Sequence, residues 1–165
     1  MKIIMVILLV ALCGAIGYGL SKNYSDRKKF FYCLESFFVV FKVDISFNKS
    51  KLLTALNAEL KTVKNKNLTM LLTNFTSLLT QNGQLNKNEV FKGINILYEQ
   101  EKDVIFAFLQ GLGKSDVFNQ VQTIDNFLFK VREFYDVSNK DCKKYCPLYV
   151  KLSIIFGLLI AIIFI

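Results

Sequence analysis

Residues 117–152 read VFNQVQTIDNFLFKVREFYDVSNKDCKKYCPLYVKL. Within this stretch Val117, Val121, Ile124, Leu128, Val131 and Tyr135 recur at steps of four, three, four, three and four, with mostly polar residues between them. Such spacing lays the apolar side chains along one helix face, whereas a strand would repeat every two residues. The same phase runs on through Ser138, Cys142 and Tyr145 to Tyr149 and Leu152, so the sequence predicts one long helix leading into an apolar C-terminal run. Pro147, the single proline, removes a backbone donor and is expected to kink or restart that helix.

Upstream of the seam the helical period returns in shorter pieces. Phe30, Leu34, Phe37 and Phe41 form an aromatic stripe at steps of four, three and four. The period then changes: Phe41, Val43, Ile45 and Phe47 alternate with polar residues, although no other segment offers them a strand partner. Helix to about Asp44 followed by an extended exit is the expectation. Leu52, Leu53, Leu56, Leu60 and Val63 mark a second helix, entered through Asn48 or Ser50 as a cap. Leu68, Leu71, Leu72, Phe75, Leu78 and Leu79 mark a third, closed at Asn82-Gly83. Asn86 with Glu89 three residues later predicts a cap pair opening a helix that turns Val90, Phe91, Ile94, Leu97 and Tyr98 inward. Val104, Ile105, Phe108, Leu109 and Leu112 either continue that face or begin a short separate helix. The turn at 111–115 then leads into the seam, with Gly111 and Gly113 ending one helix and Ser115 or Asp116 capping the next.

The two ends are different in kind. Residues 3–20 carry no charge, and residues 148–165 carry only Lys151, near their start. Eighteen helical residues rise about 27 Å, close to the roughly 30 Å hydrocarbon core of a bilayer, so each end is long enough to cross one. The snorkelling stem of Lys151 lets its ammonium reach the headgroups. The fold expected is therefore all-α: a helical bundle of about five to six helices at 22–147, flanked by transmembrane helices at 1–21 and 148–165. Lys22, Arg27, Lys28 and Lys29 follow the first span, and Lys140, Lys143, Lys144 and Lys151 precede or enter the second; the far side offers only Lys2. This bias places the middle in the cytoplasm, with these basic residues as membrane anchors. A secretory signal cut near Ala15-Ile16-Gly17, or a lipoprotein site at Cys13, would instead export the domain with its basic flanks on the wrong side of the second span.

Composition narrows the functions. The middle holds 126 residues, enough for one domain. With Lys2 and Lys151 set aside, 19 basic residues face 13 acidic ones, a balance that suits an anionic lipid surface. Only Arg27 and Arg132 are arginines and no nucleic-acid reader motif is present, so no nucleic-acid partner is expected. There is no histidine, and Cys13, Cys33, Cys142 and Cys146 do not make a zinc set; neither a metal nor a cofactor is expected. Cys142 and Cys146, four apart, should sit side by side on one helix face. Gly113-Lys114-Ser115 resembles the end of a phosphate-binding loop, but Phe108 stands where that motif needs glycine and no strand precedes it. No catalytic arrangement stands out, and the chain reads as a non-enzyme.

Phe108, the run Leu112-Gly113-Lys114-Ser115-Asp116, Gln120, the long helix, Lys144-Tyr145 and Gly157 within the last apolar span together give the chain a resemblance to the stage III sporulation protein AB family of endospore-forming bacteria. Asn48-Lys49-Ser50-Lys51 stands where that family usually has a proline. The resemblance implies a place in the membrane assembly that links mother cell and forespore, in the mother-cell membrane facing the forespore. It also implies a soluble domain similar to the helical domain of the inner-membrane platform protein of type II secretion and type IV pilus machines. Such a domain would couple a cytoplasmic hexameric ATPase to other proteins of the complex by contact. The turn formed by Gly113, Lys114, Ser115 and Asp116, with Gln120 beside it, is the expected partner contact. Two other readings fit the same layout: a viral or parasite structural membrane hairpin, and an exported, tail-anchored binding protein.

Overall fold

The computed structural model describes residues 2–48, 52–81, 85–114 and 116–164, with side chains throughout except at 2–9, 47, 48, 52, 53, 55, 58, 161, 163 and 164. Six helices follow one another: α1 (Lys2–Asn48), α2 (Leu52–Leu60), α3 (Lys66–Thr80), α4 (Lys87–Val90), α5 (Glu99–Gly111) and α6 (Val117–Phe164). No strand occurs among the described residues, so the chain is all-α as its periodicity requires. The chain divides into a terminal unit, Met1–Lys28 with Asp136–Ile165, and a central unit, Lys29–Tyr135. α1 and α6 each contribute to both.

The central unit is built on aromatic burial. α1 buries Phe30, Phe31, Leu34, Phe37, Phe38, Phe41 and Ile45, a stripe one third of its circumference wide. Against it come Leu68, Leu71, Leu72 and Phe75 of α3, Ile105, Phe108 and Leu109 of α5, and Ile124, Phe127, Leu128 and Val131 of α6. At the centre Phe108 and Phe127 stack face to face with centroids 3.8 Å apart. Phe38 meets both edge-on, at 5.0 and 5.3 Å. Within this unit α1 and α6 lie antiparallel, with Phe31 beside Phe134, Glu35 bonded to Arg132 at 2.6 Å and Lys42 to Asp125 at 2.6 Å. Those ion pairs are largely exposed and each adds little, so the rings hold the helices together.

Local chemistry sets the helix ends, and several differ from expectation. α1 does not leave the helix at Asp44 but continues to Asn48. Phe37, Phe41 and Ile45 remain on one buried face at steps of four, and this burial outweighs the two-residue alternation, which has no strand partner to serve. α2 stops at Leu60 rather than reaching Val63, because the Thr62 hydroxyl and amide both donate to the Glu59 carbonyl, at 2.7 and 3.0 Å. The expected caps at Ser50 and at Asn82-Gly83 lie at or beside residues outside those described. Asn65 caps α3, its side-chain oxygen accepting from the amides of Asn67 and Leu68 at 3.1 Å each.

The helix expected from Asn86 to Tyr98 is only one turn long. Asn86 does cap it, accepting from the Asn88 amide at 3.0 Å. The Asn74 side chain of α3 then donates to the carbonyls of Val90 and Lys92, which draws that backbone out of helical pairing. Gly93 follows with φ +82°, a left-handed turn closed to most residues. α5 starts afresh at Glu99, with the Glu101 carboxylate accepting from the Tyr98 amide at 2.9 Å. A Cβ on Gly93 would also lie 2.8 Å from Met70 Sδ. Gly93→Ala is therefore expected to destabilise the protein by about 1–2 kcal/mol, read as a lowered melting temperature of the full chain in detergent micelles.

α6 is the long helix foreseen, yet it neither stops nor restarts at Pro147. It is held to α1 on both sides of the proline, by Tyr145 against Tyr24 before it and Ser153 against Gly17 after it, and one missing amide bond does not overcome that packing. The seam itself shifts at its ends: Val117 and Leu152 are exposed, while Ile124 to Val131 and Ser138 are buried. Among the described residues no helix is long and apolar enough to cross a membrane. Parts of both apolar ends, at 2–9 and at 161 and 163–165, lie outside the described side chains.

Candidate interaction surfaces

In the terminal unit α1 and α6 pair antiparallel through small residues. Cys13 meets Gly157, Gly17 meets Ser153, and the Cys146 thiol donates to the Ser21 carbonyl at 3.3 Å. A Cβ on Gly17 would fall 2.0 Å from Ser153 Oγ and 2.8 Å from the Tyr149 carbonyl. One on Gly157 would fall 3.3 Å from the Val10 Cα. The two backbones thus approach each other as closely as small side chains allow, the packing on which helices in lipid rely. Gly17→Ala is expected to cost this pair about 1–3 kcal/mol through overpacking. Gly19→Ala, which meets nothing within 4 Å and lies inside α1, should not lower the melting temperature in micelles and should raise it slightly.

Above this seam the contacts become polar and aromatic. Tyr24 lies between Tyr145 and Tyr149, with centroids at 5.3 and 5.7 Å. Arg27 bonds Asp141 at 2.9 Å, and its side chain is only 5% exposed. Arg27, one of the expected membrane anchors, thus also links α1 to α6 through its guanidinium. Lys22, Lys29, Lys143, Lys144 and Lys151 are exposed and Lys28 partly so, with Lys144 over the Tyr145 ring at 5.0 Å.

The outward faces of the terminal unit are apolar. Leu12, Ile16, Tyr18 and Leu20 on α1, and Leu152, Ile155, Phe156, Leu159 and Ile162 on α6, are all exposed. A helix pair facing water carries charge at such positions. The net charge is also uneven: the terminal unit carries eight basic and three acidic residues, the longer central unit thirteen and ten.

The turn between α5 and α6 is the second surface. Gly111 closes α5, the Lys114 amide donates to its carbonyl at 3.3 Å, and Gly113 holds φ +80°. The Asp116 carbonyl receives the Gln120 amide at 2.9 Å, which places Asp116 just ahead of the first turn of α6, and its carboxylate accepts from the Asn119 side chain. Gly113, Lys114 and Asp116 are exposed and Gln120 is partly buried; Ser115 lies outside the described residues. Beside them Phe118 is 77% exposed.

A family model for stage III sporulation protein AB matches residues 2–165. The chain belongs to that family. No curated protein and no solved structure matches it. Stage III sporulation AB is not a known enzyme family.

Within this family member, the paired thiols stand where their spacing put them, with Cys142 Sγ 3.1 Å from Cys146 Sγ. Burial, and then the hydrogen bond with Cys142, push the Cys146 thiol up to about 11, so it stays protonated at neutral pH and is a poor nucleophile. Burial likewise raises the Cys33 thiol. Among the described residues no group of three or more Cys, Asp or Glu side chains could hold a metal ion. Two features escaped sequence reading. The Arg27–Asp141 pair had a faint signal, a single acid within the basic run 140–144. The other is a groove of about 270 Å³ in the central unit, between α1 and the end of α2. It depends on how α2 and its following turn fold back, which no local pattern encodes.

Proposed function

We propose that this stage III sporulation AB protein is a non-catalytic membrane component of the assembly between mother cell and forespore, whose central unit is a platform for a cytoplasmic hexameric ATPase. The observation that carries the membrane part is the terminal unit, where apolar side chains face outward around a seam of small residues while the lysines collect next to it. Residues 10–20 and 148–160 alone would rise only about 16 and 20 Å; the whole runs 3–20 and 148–165 reach the length of a bilayer core. Lysines on the central side of both runs orient the central unit toward the cytoplasm of the mother cell. Two anchors hold it beside partners assembled on the same membrane and raise their effective concentration.

The partner contact on this reading is the α5–α6 turn, Gly113, Lys114, Ser115 and Asp116 with Gln120. Family membership supports the sporulation setting, and the ATPase follows only from what the sequence resemblance implies about secretion platforms. Reversing the charges with Lys114→Glu and Asp116→Lys should cut recovery of the hexameric ATPase at least tenfold when the full chain is purified from sporulating cells in mild detergent, with circular dichroism unchanged. Undiminished recovery would remove the turn from the interface. Failure of the unaltered chain to bring down any ATPase would remove the platform role.

A further inference from the structure

The face of α1 opposite the core is apolar where water should favour charge. Tyr32, Val39, Val40 and Val43 are exposed there, spaced as one helical stripe, with Tyr32 at 59%. Beside the stripe lies the groove of about 270 Å³, lined on α1 by Cys33, Ser36, Phe37 and Val40 and on the other wall by Glu59, Thr62, Val63 and Lys64. Its mostly apolar lining, continued by the exposed stripe on α1, suits a helix whose side chains fall at steps of three and four.

Charge identifies the kind of helix. Several basic side chains of the central unit are matched: Lys42 with Asp125, Lys87 with Glu99 and Asp103, Lys130 with Glu133 and Arg132 with Glu35. Lys64, which lines the groove, and its neighbours Lys61 on the same turn and Lys66 at the start of α3 are exposed and make no ion pair among the described residues. Three unmatched lysines at the end of an apolar groove leave both an apolar and a cationic surface to be satisfied from outside.

We propose that this groove docks an amphipathic helix of another protein, its apolar stripe against Tyr32, Val40 and Val43 and its acidic residues against Lys61, Lys64 and Lys66. The apolar stripe supplies the affinity and the lysines set direction and approach rate. This surface shares no residue with the α5–α6 turn and does not depend on what that turn binds.

The test uses the full chain in sporulating cells with a benzophenone amino acid at Val40, and the same residue at exposed Lys92 as control. The expected product is an adduct, at least fivefold stronger than at position 92, with a segment of another protein. That segment has a helical apolar repeat and more Asp and Glu than Lys and Arg. Combining Lys61→Glu, Lys64→Glu and Lys66→Glu should lower the yield at least fivefold, with an unchanged circular dichroism spectrum showing that the fold survives. An adduct with a second copy of this chain, with lipid, or with a basic or non-helical segment would overturn the proposal. So would a yield no higher than the control, or one indifferent to the charge reversal.

Discussion

Replacing Phe38 with alanine lowers the stability of the central unit by about 3–5 kcal/mol, the range for removing a fully enclosed ring from a packed core. Phe38 is 1% exposed, and its edge meets Phe108 and Phe127 at 5.0 and 5.3 Å while the latter two stack at 3.8 Å. These three rings belong to α1, α5 and α6, so one truncation opens a cavity at the junction of three helices and also loses the ring-edge contacts. In a unit of this size the melting temperature should fall on the order of 20 °C, measured by circular dichroism of the full chain in micelles. Phe38→Leu refills most of the volume and should cost less than half as much. Equal, small losses from both variants would mean that the rings are not the keystone of the core.

Asp141→Asn should destabilise the terminal unit by about 3 kcal/mol. Arg27 is almost completely enclosed, and the substitution takes away a carboxylate 2.9 Å from its guanidinium without removing the charge that needs it. The opposite experiment separates the pair's worth from the penalty of breaking it. With Arg27→Met and Asp141→Leu together, no charge is left buried, and most of the lost stability should return. The readout is the melting temperature in micelles, compared among the single variants and the double one. If Asp141→Asn melts with the unaltered protein, the ion pair contributes nothing to holding α1 against α6.

Much of this architecture is legible in the residues. The stripe from Phe30 to Phe41 and the seam from Ile124 to Val131 bury the side chains their periods select, because a helix with one apolar stripe has one way to hide it. The α5–α6 turn is equally readable, since Gly113 and Asp116 have residue types with a strong preference for those backbone positions. The misreadings share a cause, which is that tertiary contacts outvoted local pattern. Ile45 stays helical because its neighbours bury it, and the one-turn α4 is cut short by Asn74 reaching across from α3. Arg27 looked like any other lysine-rich flank until Asp141, 114 positions away, was brought beside it. The groove at Tyr32 and Val40 could not be read at all, for its walls come from segments some 25 residues apart whose meeting no period announces.

In the proposed topology the chain is threaded into lipid at both ends and its central unit lies on the cytoplasmic side. Its most direct test places a cysteine at exposed Lys92 (Lys92→Cys, with the four native cysteines changed to serine) and treats intact protoplasts with a membrane-impermeant maleimide. The expected result is no labelling until the cells are lysed, with the protein remaining in the membrane pellet after carbonate extraction. Labelling of intact protoplasts, or release of the protein by carbonate, would contradict it.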